Sequence, residues 1–185
     1  MMKRRREQKT DYAQRLALLK GGKNRIVVRK SNNRMLIQIV EFAADGDKTL
    51  ASANSLELAK LGWKGHSGNM PSAYLTGLLM GRKALQKGIK SAVVDIGTQY
   101  SHASGVLYAA VKGAKDAGME IPVSAAPDEE RIKGAHIARY AAELKKSGKA
   151  RYERQFSAML KKGIAPEDVP KNFEEVKTSI MRSQA

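Results

Sequence analysis

The sequence predicts an α/β fold with a mixed sheet, its antiparallel strands at one side and right-handed crossovers at the other. Three observations predict it. Turn residues cut the first 124 residues into short β-branched runs and longer apolar-periodic segments in the order βββααβαβ. Composition shifts at Ala125-Ala126-Pro127, beyond which the chain reads as charged helix, and more than half of the net positive charge precedes Ser31. The expected organisation is a basic N-terminal arm with a short helix over 1–24, an α/β domain over 25–124 and a C-terminal helical extension over 125–185.

Asp11 can cap a helix through Leu19, in which Tyr12, Leu16 and Leu19 share a face and Gly21-Gly22 ends it. Arg25 to Lys30 and Met35 to Ala43 are expected to form a hairpin about Ser31-Asn32-Asn33. Asp45-Gly46-Asp47 turns the chain into a third strand, Lys48 to Asn54. Ser55 is then placed as the cap of a short helix stopped by Gly62, and Trp63 to Asn69 as a loop. Asn69 caps a longer helix with Pro71 in its first turn; Leu75, Leu78, Leu79 and Leu85 face one way, and Ser72, Thr76, Lys83 and Lys87 the other. Ser91 to Asp95 reads as a short buried strand, Ser104 as the cap of a helix through Ala117, and Met119 to Ser124 as a last strand. The extension holds helices over Asp128 to Ser147, with a weak point at Gly134, Lys149 to Lys162, and Asn172 to Met181. Helices this charged need an outside surface to be stable.

The 185 residues carry 34 Lys+Arg against 18 Asp+Glu, a formal +16. Such an excess calls for a polyanionic partner. Residues 1–30 alone carry +9, and a like-charged block repels itself and stays extended until an anion neutralises it. With 42% hydrophobic but only 5% aromatic residues, the core is expected to be aliphatic and alanine-rich. There is no cysteine, and His66, His102 and His136 are far apart, so neither a metal site nor a cofactor is expected. The basic start is followed by no apolar h-region, and no run approaches the ~18 apolar residues of a membrane span. A soluble cytoplasmic protein with no membrane partner is expected.

The strongest constellation is the hairpin with its tail. Lys3, Arg4, Arg5, Arg6, Lys9, Arg15, Lys20, Lys23, Arg25, Arg29, Lys30 and Arg34 supply cations that can track phosphates. Ser31, Asn32, Asn33 and Gln38 add hydrogen bonds to sugars or splayed bases. Tyr12, Trp63 and Tyr100 are candidate stacking platforms, although Tyr12 serves equally well as a staple of its helix and Trp63 as a core residue. Gly77-Leu-Leu-Met-Gly81 is read as a place where the helix packs closely on the sheet. Val93-Val94-Asp95-Ile96-Gly97-Thr98 looks like a phosphate-binding turn of ATPases, but no second acidic strand end accompanies it. An ATP-dependent enzyme at Asp95 and a DNA-compacting basic protein are the rival readings.

Arg25-Ile-Val-Val-Arg-Lys-Ser-Asn-Asn with Gln38, Leu50-Ala-Ser-Ala, and Asn69-Met-Pro-Ser-Ala-Tyr-Leu-Thr-Gly-Leu-Leu occur in order, followed by Ile121-Pro122 and the run from Pro127 to Gly134. The ensemble resembles the archaeal form of the large-subunit ribosomal protein numbered eighteen, whose eukaryotic relative is the fifth large-subunit protein. The resemblance implies a ribonuclease-H-like three-layer α/β domain and a structural, non-enzymatic role. It implies binding to 5S rRNA and its attachment to 23S-type large-subunit rRNA in the central protuberance, beside neighbouring ribosomal proteins. It also implies that the loop of Thr98, Gln99, Tyr100, Ser101 and His102 faces RNA. Bacterial members carry basic residues there, so contacts of this sequence are expected to be hydrogen bonds and stacking.

Overall fold

Two β-branched runs alternate in what they present to each side, and that alternation sets the architecture. β1 (Arg25–Lys30) and β2 (Met35–Glu41) pair antiparallel, with Ile26 opposite Ile39 and Val28 opposite Ile37, so four large apolar side chains project to one face. β3 (Lys48–Asn54) adds antiparallel to β2 through a register shift at Ile39/Val40, and β4 (Val93–Asp95) lies parallel to β1. The mixed sheet has the order β3-β2-β1-β4. This is a computed structural model describing residues 2–125 and 127–182; Met1 of the arm, Ala126 at the expected boundary and 183–185 of the extension lie outside the described residues.

Ahead of the sheet are α1 (Lys3–Arg6) and α2 (Tyr12–Lys20). Asp11 caps α2 as expected, its carboxylate accepting from Ala13 N at 2.9 Å and Gln14 N at 3.1 Å. The arm thus departs from an extended chain: Lys3 to Arg6 form one helical turn, and α2 folds back beside the sheet.

After β3 a 3-10 helix spans Ser55–Leu61. Its cap is Asn54, not Ser55: Asn54 accepts from Leu56 N, while the Glu57 carboxylate accepts from Asn54 N at 2.8 Å. Ser55 is buried and instead accepts the Met35 amide at 2.9 Å, closing the end of β2.

α3 (Met70–Gln86) covers the apolar sheet face, capped by Asn69 as expected. Its second face is solvated only toward its C-terminal end, where Lys83 is half-buried and Lys87 exposed. Ser72 and Thr76 are fully buried, and their hydroxyls donate to Asn69 O and Ser72 O within the helix. That face turns toward β3 and the 3-10 helix, where Lys83 donates to Ser52 O and pairs with Glu57 and Lys87 donates to Leu50 O. On another side α4 (Val106–Asp116) crosses α3 so closely that a Cβ on Gly77 would strike the Ala110 backbone and one on Gly81 the Ala114 backbone. The two glycines therefore serve a helix–helix crossing, not helix–sheet packing. α4 starts later than expected, with Gly105 at its cap position and no side-chain cap, so Ser104 has no capping role.

The expected strand at Met119 to Ser124 does not form. Only Ser91 and Glu120 make a bridge. Pro122 has no amide to continue a ladder, and Val123 N turns back to Ile121 O at 2.8 Å.

The extension contains α5 (Glu129–Lys133), α6 (Ala135–Ser147), α7 (Lys149–Leu160), a 3-10 turn (Pro166–Asp168) and α8 (Val169–Arg182). Gly134 separates α5 from α6 at φ +86°, a value that L side chains avoid. The outside surface these helices need is α3: Val169, Phe173, Val176 and Ile180 of α8 join the main core. The buried Asn172 locks the contact by donating to Gly62 O at 3.0 Å and accepting from Lys64 N at 3.1 Å.

Candidate nucleic-acid interface

Strand alternation puts Arg25, Val27 and Arg29 of β1, Gln38 and Val40 of β2, and Asp95 of β4 on the sheet face that α3 leaves free. The arm roofs this face. Between them lies a cavity of about 520 Å³, bounded by Arg4, Lys9 and Arg15 on the arm and by Arg25, Arg29, Gln38 and Asp95 on the sheet.

Charges inside this cavity are ordered as a chain. Asp47, from the β2–β3 turn, accepts from Arg15 at 2.9 Å and from Arg25 at 2.6 Å. Asp95 accepts from Arg25 at 2.9 Å, Arg29 at 3.0 Å and the Gly97 amide at 2.9 Å. Arg29 also donates to the backbone oxygens of Val28 and Asp95. Arg25 is 3% exposed and spends both terminal nitrogens on carboxylates. Expected as a phosphate contact, it is an internal residue that fixes the β2–β3 turn to the end of β4. Arg29 is half-buried and similarly engaged, and it closes the turn at Gly97, where φ is +62°.

Asp95 therefore does what a turn residue does: it caps the loop that follows and neutralises two guanidiniums. Among the described residues no group of three or more His, Asp or Glu is arranged to hold a metal ion.

Gln99 is the second departure. β4 stops at Asp95, leaving the outer edge of β1 beyond Val27 without a strand partner. Gln99 replaces that strand: its amide nitrogen donates to Val28 O at 2.8 Å and Ile96 O at 3.0 Å, while its oxygen accepts from Lys30 N at 2.9 Å. Its side chain is committed to the fold, not offered outward. It also carries the loop to the hairpin turn, so that Lys30, Tyr100 and His102 line one cleft of about 300 Å³ beside the start of α4.

The outward-facing set is what remains. Lys3, Arg5, Arg6, Lys20, Lys23, Lys30 and Arg34 are exposed, and no described carboxylate pairs with any of them. Arg4 is exposed and donates to Thr10 at 2.9 Å, while Lys9 pairs with Glu7 at 2.9 Å. Ser31 shapes the hairpin turn by bonding the Arg34 backbone, and Asn32 and Asn33 project from that turn. Gln38 sits half-buried on the cavity wall. Thr98 is exposed and lines a third cavity of about 500 Å³ with Arg5 and Tyr12, which joins the arm to the Tyr100 loop. Ser101 bonds the Tyr108 hydroxyl at 2.8 Å.

Of the stacking candidates, Tyr100 is 85% exposed and Trp63 only 3%. Trp63 is a core residue, its indole nitrogen donating to His66 O at 3.3 Å. Tyr12 lies between these extremes, half-buried against the arm. The Asp47 carboxylate went unnoticed in the sequence, where it reads only as a turn residue.

Residues 1–91 match the family described as ribosomal large subunit proteins 60S L5 and 50S L18. The matched span includes the arm, the hairpin, β3 and all of α3. The match covers 91 of the 185 residues and supports a large-subunit ribosomal protein of this type.

Proposed function

We propose that this chain, whose residues 1–91 match that ribosomal family, is a structural member of the large subunit that binds 5S rRNA and attaches it to large-subunit rRNA in the central protuberance. The observation that carries this reading is the continuous exposed strip that runs from the arm cations through Thr98 to the Tyr100 loop and the hairpin turn. Lys3, Arg5, Arg6, Lys20 and Lys23 neutralise phosphates, and Lys30 and Arg34 extend the track to the turn. Asn32 and Asn33 contact sugars or base edges, and Tyr100 and His102 offer ring faces to an unstacked base in the cleft beside Lys30. Arg25, Arg29, Asp95 and Gln99 hold this surface in shape without touching RNA themselves.

The role is structural, with no catalytic step. A carboxylate already shared by two guanidiniums and a backbone amide is poorly placed to bind magnesium or activate water. We read the domain as ribonuclease-H-like, supported by a three-strand meander followed by a parallel strand at the β1 edge. Its place of work is the cytoplasm, among the neighbouring proteins of the protuberance.

The test is the salt dependence of 5S rRNA binding in a Lys3→Gln, Arg5→Gln, Arg6→Gln variant. Each cation withdrawn from a phosphate should lower the slope of log K against log salt by about 0.7 to 0.9, so the slope should fall by about 2 to 3. A slope equal to wild type would contradict the proposed arm contacts.

A further inference from the structure

The net charge of the extension is unevenly divided. Residues 139–162, the hairpin of α6 and α7, carry eight basic and two acidic residues, a net +6. The remaining residues of 128–185 carry a net −2. The polarity follows the packing. Where the extension meets the body or folds on its own base, cations find carboxylates: Arg139 pairs with Glu130, Lys133 with Glu174 at 3.8 Å and Lys145 with Glu167 at 3.3 Å. On the outer side of the hairpin, Lys146, Arg151, Arg154 and Lys161 are exposed and no described carboxylate pairs with them.

These four are carried by a hairpin with a small core of its own. Ala141 of α6 and Tyr152 and Phe156 of α7 form a separate small core, with the two rings 5.5 Å apart. Tyr152 donates to Glu167 at 2.8 Å, which ties α7 to the 3-10 turn. Arg151 and Arg154 lie three residues apart on one side of the first part of α7; the backbone kinks at Phe156 (φ −107°, ψ 15°), and Lys161 follows at the cap position of the second part. A tyrosine, Tyr140, lies 48% exposed on α6 with its ring 6.3 Å from that of Phe156. A cluster of unpaired cations on a hairpin with its own small core fits the negative charge of a phosphate backbone. It fits poorly as a solvated face, because the rest of the extension balances its charges.

Position gives the partner. The arm lies over the free face of the sheet, α3 covers the opposite face, α8 packs on α3, and the hairpin packs on α8 and its 3-10 turn. The hairpin and the arm are separated by the sheet and two helical layers. One RNA helix held by the arm does not account for both surfaces.

We propose that the outer face of the α6–α7 hairpin is a second RNA-binding surface, which holds the backbone of large-subunit rRNA while the arm face holds 5S rRNA. This rests on the 5S reading given above. Lys146, Arg151, Arg154 and Lys161 are the contacts, and Tyr140 supplies a ring at their flank.

The experiment uses the full chain and two extracted RNAs. Large-subunit rRNA is immobilised, labelled 5S rRNA is added, and the 5S retained through the protein is measured alongside direct 5S affinity. A variant with Lys146, Arg151, Arg154 and Lys161 all changed to Gln should keep 5S affinity within twofold and lose at least tenfold in retention. A control that changes Lys60, Lys64, Lys90 and Lys171 to Gln removes the same charge elsewhere and should retain 5S nearly as wild type does. Thermal melts of both verify folding. Unchanged retention in the hairpin variant would overturn the proposal and leave the hairpin to an acidic protein surface. An equal loss in the control, or a parallel loss of 5S affinity in the hairpin variant, would overturn it as well. Failure of the wild-type chain to bind 5S rRNA at all would instead defeat the 5S reading beneath it.

Discussion

β1 divides its residues between two unlike surfaces. Ile26 and Val28 are fully buried against the helices, whereas Arg25, Val27 and Arg29 look onto the cavity beneath the arm. The first face is held mainly by apolar contact, with Lys83 and Lys87 of α3 reaching backbone oxygens at the β3 edge. The second is held by charges that satisfy one another, through Asp47 and Asp95. The difference teaches which cations are free to bind. A guanidinium fixed on a sheet strand next to carboxylates is structural, and around this face the exposed cations with no described carboxylate partner lie on α1, at the end of α2 and in its connection to β1, and at the hairpin turn. Net charge counts both kinds alike, but only geometry separates them.

The comparison breaks most visibly on the apolar face. Ile37 is fully buried at the centre of β2, opposite Val28. Ile37→Ala should cost about 2 to 5 kcal/mol, the loss of buried methyl groups plus the cavity they leave. Urea unfolding measures the cost, and the folded fraction should bind RNA as wild type does. A loss below about 1 kcal/mol would mean that the helices are not packed on this face as described.

The charged face should answer less strongly and with a different chemistry. Asp95→Ala removes acceptors from Arg25, Arg29 and Gly97 N, but Asp47 still holds one nitrogen of Arg25. The expected cost is about 2 to 3 kcal/mol, in the range for hydrogen bonds to charged groups. Asp95→Asn keeps one acceptor and should recover about half of it. Equal stability of the two variants would show that the carboxylate position contributes only shape. Magnesium-dependent nucleotide hydrolysis in the wild type, abolished in Asp95→Asn, would overturn the structural reading of this residue.

Sequence patterns carried the fold wherever local chemistry decides it. The alternation of β1 to β3, the Asp11 and Asn69 caps and the break at Gly134 are all local signals, and each stands in the structure. What local reading missed depends on distant partners. Ser72 and Thr76 read as the polar face of α3 until β3 and the 3-10 helix are placed against that side. Met119 to Ser124 has strand composition, yet Pro122 and the backward turn at Val123 deny it a ladder. At the site, the cations of the arm and turn were legible as a group, but the pairing of Arg25 and Arg29 requires Asp47 and Asp95 to converge from opposite sides. No spacing rule in the sequence reveals that convergence.

The smallest effect sharpens the comparison within β1 itself, at the point where its ladder runs out. Beyond Val27, the outer edge of β1 is closed by one side chain: Gln99 donates to Val28 O and Ile96 O and accepts from Lys30 N. Water can replace these bonds at an exposed edge, so Gln99→Ala should cost only about 1 to 2 kcal/mol, less than the sum of the bonds removed. The local consequence should be larger than the global one. The Lys30 amide loses its acceptor and should exchange with solvent at least tenfold faster, while amides of β1 paired to β2 stay protected. Gln99→Glu separates the two halves of the clamp. It keeps an acceptor for Lys30 N but sets a carboxylate against two carbonyl oxygens, so it should protect the Lys30 amide no better than Ala does. Because Tyr100 and His102 follow directly on this clamp, both variants should also weaken 5S rRNA binding without changing its salt slope, since no phosphate-bound cation is removed. Wild-type exchange at Lys30 in Gln99→Ala would show that the edge is closed by something other than this side chain.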